Sequence, residues 1–123
     1  MTVRWTYDRF TVTGPDGGRD PHRGYFAVFV DRAPVPAGKD LGWLARNDRS
    51  CRTVATCPDE QYLADRHVFT TTTPEITFDQ LPLPAFHKGL EDHTITVVLL
   101  DGTGHRVGES AWYVDFRLRR SSR

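Results

Sequence analysis

Five histidines and two cysteines are the residues of this 123-residue chain best suited to metal binding or nucleophilic chemistry. His87, Asp92 and His93 lie close together in the sequence and pair two imidazoles with a carboxylate, a donor set suited to a divalent transition metal. His105 falls outside that set: the extended stretch 93–100 rises about 3.3 Å per residue, so its two ends stand about 25 Å apart. Cys51 or Cys57 with His67 would offer a thiol and a base, with Asp59, Glu60 and Asp65 between them, but no motif accompanies the pairing. Polar groups on loops are far more often solvated than catalytic, so neither set outweighs a noncatalytic reading and no cofactor is expected. The glycine-rich run 14–19 lacks the Lys-Ser/Thr of a phosphate loop and reads as a turn.

The apolar candidates are more telling. Leu41, Trp43 and Leu44, joined further on by Tyr62, belong to a stretch that is hard to read as strand, roughly residues 37–61. Aromatic side chains held in a long connection are enriched at interfaces, and this insertion is the expected binding surface. The competing reading is that these side chains simply close an open end of the core.

The elements that would position them are mostly strands. From residue 110 to 119, Trp112, Val114, Phe116 and Leu118 alternate with Tyr113, Asp115, Arg117 and Arg119, the period of a half-buried strand. Residues 93–100 are β-branched and place Ile95, Val97 and Leu99 on one face, predicting the central strand. The Asp-Gly turn at Asp101 and Gly102 joins the two antiparallel. Residues 25–31 are apolar on both faces, as an interior strand requires, and prolines follow at Pro34 and Pro36. Residues 3–13 read as a strand whose parity shifts near Asp8, marking a bulge or bend. Residues 67–73 and 75–81 read as two short strands, or one broken at Pro74. Only 39–46 and 59–65 have helical spacing, and each allows one or two turns.

Composition bounds the function classes. The length suits one domain, 1–123, able to close a core unaided. Sixteen basic and sixteen acidic residues cancel, which excludes long-range steering to nucleic acid or to an anionic membrane. The terminal run 117–123 is basic but lacks interleaved aromatics, so it reads as a solvated tail. Lys39 and Lys88 are the only lysines among the sixteen basic residues, a bias typical of GC-rich coding, as in an actinobacterium or its phage. With no leader-like or spanning segment, a cytoplasmic location is expected. That compartment favours separate thiols for Cys51 and Cys57 over a local disulfide pinning their loop.

From Glu75 to Leu118 the order of features resembles the last three strands of bacterial immunoglobulin-like and fibronectin type III-like domains. A strand ending at Leu81 leads through a proline connector into 93–101, an Asp-Gly turn and the closing strand around Trp112. The resemblance implies an all-β fold: an immunoglobulin-like antiparallel β-sandwich of about seven strands with one long insertion. Such domains serve mainly as binding, spacing or assembly modules. A protein partner or a homo-oligomer contacted through the insertion is therefore the leading expectation. The alternatives are a small metal-binding protein or enzyme using His87, Asp92 and His93, and a phage or particle decoration subunit.

Overall fold

The computed structural model describes residues 2–77 and 89–120, with side chains described for 2–77 and 93–115. Strand predominates. The described residues form strands β1 (Thr2–Arg4), β2 (Thr11–Val12), β3 (Arg23–Val30), β4 (Val68–Thr71), β5 (Glu75–Thr77), β6 (Gly89–Asp101) and β7 (Arg106–Arg120). A 3-10 turn (Leu41–Ala45) and two short helices, α1 (Arg49–Arg52) and α2 (Glu60–Ala64), occupy the long connection after β3.

β3 sits inside the main sheet because both of its faces are apolar. It pairs antiparallel with β6 along one edge; along the other it pairs with β4 and, at its start, with β2. Phe26, Val28 and Val30 join Trp5, Phe10, Ile95 and Val97 in one core. Tyr25, Ala27 and Phe29 join Val35, Leu63, Val68, Val98 and Leu100 in a second core on the opposite face. Thus the two-residue period of a single strand divides the apolar mass between two layers. The first layer is closed by the β1–β5 pair, which forms a separate two-stranded sheet, and the second by the insertion.

Residues 3–13 are not one bulged strand. β1 belongs to the small sheet and β2 to the large one, and the parity shift near Asp8 is the crossing between layers, where Arg9 takes a positive φ of 56°. β2 lies parallel to β3, so the sheet is mixed rather than wholly antiparallel. β4 and β5 are likewise assigned to different sheets, with the prolyl break between them. Residues 78–81 of the expected second strand lie outside the described residues.

The hairpin between β6 and β7 is tied by the carboxylate of Asp101. Its Oδ1 accepts from Thr103 Oγ1 at 2.6 Å and from the backbone N–H groups of Thr103 and His105 at 2.9 and 3.0 Å. Gly24 is required where β3 passes this turn: at φ 157° a Cβ would collide with the backbone of Leu100 and Asp101. β7 matches Ala111 through Arg120 to β6, but the register shifts between Val98 and Leu100. The extra residues on β7, 107–110, form a bulge that includes Gly108 at φ 61°.

The cysteines correct the expectation of separate thiols. Asp48 caps α1 by accepting from the Cys51 N–H at 3.1 Å, and the turn that follows brings Cys57 back to a Cα separation of 5.2 Å, where the two are disulfide-bonded. The helical turn at α1 has no periodic apolar signal in the sequence. Its capping aspartate is what starts it.

Candidate binding surfaces

The insertion repeats one local device three times. Asp40, Asp48 and Asp59 each stand in extended conformation ahead of a turn and accept from the N–H three residues on, those of Trp43, Cys51 and Tyr62. These caps aim the apolar side chains at the sheet. Leu41, Trp43 and Leu44 are partly buried against the second core, and Ala45 and Leu63 are buried in full. Tyr62 lies apart from that trio: its hydroxyl donates to Asp48 Oδ2 at 2.9 Å, and the Arg66 guanidinium covers its ring at 3.5 Å. Arg46 covers the Trp43 ring in the same way at 3.3 Å. The Asp48 carboxyl is held below its ordinary value by the Cys51 N–H and the Tyr62 hydroxyl. Three of the four expected contact residues thus help cover the sheet, and the two aromatics already carry arginines on their faces.

The insertion is also fastened to β7. Arg106 is buried, donates from Nη1 to the Val35 carbonyl at 2.9 Å and from Nη2 to that of Glu109 at 2.9 Å, and exchanges backbone hydrogen bonds with Gly38 and Lys39. Nothing in the sequence marks this arginine apart from the others near it.

The opposite layer ends differently. The small sheet does not reach across the outer part of β7, and a groove of about 710 Å³ lies between them, lined by Val3, Trp5, Pro74, Val97, Trp112 and Val114 among others. Trp112 faces the first core as its alternation predicts, whereas Tyr113 and Val114 are 64% and 39% exposed. The indole Nε1 of Trp5 is buried and has no hydrogen-bond partner among the described residues. Past Ala111, β7 has β6 on one side and no strand on the other among the described residues.

The far ends of β6 and β7 leave the body of the sheet. β3 stops matching β6 at Val30 and Ile95, while β6 and β7 stay paired out to Gly89 and Arg120. Asp31, at φ 55°, holds the point of departure. Its backbone N–H donates to the Thr94 carbonyl at 2.8 Å, its Oδ1 accepts from the Thr94 N–H at 2.9 Å, and its Oδ2 lies 2.9 Å from His93 Nδ1. His93 is accordingly buried beside a carboxylate that the sequence did not associate with it. His87 and the side chain of Asp92 lie outside the described residues, so the three expected ligands are not seen together. Among the described residues no three His, Cys, Asp or Glu side chains are gathered as a metal set. The thiol reading of Cys51 or Cys57 with His67 is overturned, since both sulfurs are held in the disulfide.

No protein-family model matches this chain, and no curated protein or solved structure is significantly similar to it. Among the described residues no helix is long and apolar enough to cross a membrane.

Proposed function

We propose that this chain is a noncatalytic binding and assembly module that works by strand addition along β7, and that its partner is a second copy of itself. The observation that carries this reading is the outer edge of β7 from Ala111 to Arg120, which lacks a neighbouring strand among the described residues and ends in a two-stranded ribbon. A two-stranded ribbon is marginal in water, and an unblunted edge is a template for another strand. Tyr113 and Val114 supply exposed apolar surface beside that edge. The sequence of the edge is self-complementary. An antiparallel pairing with its two-fold at Phe116 sets Asp115 opposite Arg117 and Tyr113 opposite Arg119. Zero formal net charge removes general repulsion between copies.

Kinship with immunoglobulin-like and fibronectin type III-like domains is part of the same proposal, supported by the two apolar layers and the Asp-Gly hairpin. The insertion then closes the second core rather than making the main contact. Light scattering on the full chain should show a dimer. Asp115→Arg and Arg117→Glu should each weaken it, and the combined exchange should restore it. A strict monomer at every concentration reached would overturn self-association. Regular multimers in place of dimers would extend the reading to a particle decoration subunit.

A further inference from the structure

Four arginines of the insertion side, Arg32, Arg46, Arg52 and Arg66, spend side-chain hydrogen bonds on backbone carbonyls. Arg32 Nη1 donates to the Arg66 carbonyl at 3.1 Å, Arg66 Nη1 to the Tyr62 carbonyl at 3.1 Å, Arg46 Nη1 to the Trp43 carbonyl at 3.0 Å, and Arg52 Nη1 to the Arg46 carbonyl at 3.4 Å. Each of these bonds takes one N–H of a guanidinium that has five to give. Among the described residues the only ion pair made by any of the four is that of Arg66 with Asp48, at 3.7 Å. Arg32 is the most crowded of them: its Nε is buried with no hydrogen-bond partner among the described residues, and burial together with the charges of Arg66 and Arg46 lowers its affinity for a proton. Arg46 and Arg52 also line a cleft of about 610 Å³ with Lys39, His105, Asp40 and Trp43. One carboxylate, Asp40, stands against three formal positive charges there, and its Oδ1 is already engaged by the Trp43 N–H.

We infer that this cleft is a binding site for a small oxyanion bearing phosphate or sulfate groups, held by Arg46, Arg52 and Lys39. Like charges gathered in one place repel, and a bound dianion removes that cost while filling unused N–H donors. Planar guanidinium forks match phosphate and sulfate oxygens in pairs. Stacking on Trp43 fixes the Arg46 plane before a ligand arrives, so less side-chain freedom is lost on binding. The cleft is lined by the insertion and by His105 at the start of β7, and shares no residue with the β7 edge from Ala111 onward.

Calorimetric titration of the full chain with inorganic pyrophosphate, and separately with sulfate, tests the inference. Saturable binding of at least one is expected, weakening as salt rises. Arg46→Gln and Arg52→Gln should each reduce affinity about tenfold, the loss expected from one charge-assisted hydrogen-bond pair. Arg4→Gln, on the small sheet and paired with Glu75, should leave it unchanged. Unchanged melting temperatures would show that the variants fold, and Arg46→Lys should recover part of the loss through charge alone. Absence of saturable binding by both anions would overturn the proposal, as would binding that the Arg46 and Arg52 variants leave intact.

Discussion

The two faces of the main sheet are closed by opposite means. On one, the β1–β5 pair lies over Phe26, Val28 and Ile95 and leaves a groove beside Trp112. On the other, the insertion is held over Phe29 and Val98 by three aspartate caps, a disulfide and the buried Arg106. A short strand pair gains its stability from apolar area and backbone pairing, so it ends where its strands end. A chain of turns has no such ladder and must be fixed point by point through polar and covalent ties. The first solution leaves an open edge suited to another strand; the second gathers charged side chains on an already sealed surface.

Phe26→Ala is the severest test of the first face, because that ring is fully buried against Trp5, Tyr7 and Phe10. It should cost about 3–5 kcal/mol in urea unfolding, and a loss well under that range would mean that the small sheet contributes little. The paired change Cys51→Ser and Cys57→Ser should cost about 2 kcal/mol, since the bridge closes only a short loop. Its effect should be confined to one face. Amide exchange should quicken across residues 40–66 and stay slow across 95–100, whereas uniform loss of protection would show that the insertion and the sheet unfold as a unit.

Acid should act through the hairpin that joins both layers. Burial by itself would raise the Asp101 carboxyl, but the Thr103 hydroxyl, the N–H groups of His105 and Thr103 and the charge of His105 hold it below its ordinary value. A carboxyl depressed in the folded state stabilises above its unfolded pKa, and that contribution is lost as pH falls through the folded value. Stability should therefore drop below about pH 4, and Asp101→Asn should lower stability at neutral pH while flattening that acid limb. An acid limb unchanged in Asp101→Asn would assign it to other carboxylates. The smallest effect on the monomer is expected from Tyr113→Lys, within about 0.5 kcal/mol by thermal unfolding, because the ring is mostly exposed. The same change should dissociate the dimer, and a dimer that survives it would place the contact away from β7.

Strand β3, the β6–β7 hairpin and the inward indole at 112 were legible because alternation and an Asp-Gly turn act locally. The division of residues 3–13 between two sheets was not, since a parity shift looks the same whether a strand bulges or crosses to another layer. The parallel pairing of β2 with β3 was equally hidden, because direction is set by where the intervening loop returns. At the insertion, Leu41, Trp43 and Leu44 pack against the second core, the reading in which they close an open end of it. The arginines on Trp43 and Tyr62 were missed because nothing in the sequence separates a stacked arginine from a solvated one. His93 was read with Asp92 and His87 by proximity along the chain, and one carboxylate beside it, Asp31, stands sixty-two positions away.

By itself the sequence determined that this chain is built chiefly of strands and has apolar surface for two faces of β3, since side-chain period is a property of each strand alone. Tertiary structure decided which element covers each face, that Cys51 meets Cys57, that four arginines converge on the insertion side, and that β7 stands at the edge of the sheet among the described residues. Apart from the disulfide, whose cysteines are only six positions apart, those outcomes depend on residues far apart in the chain arriving at one place, and separation along the sequence carries no record of that.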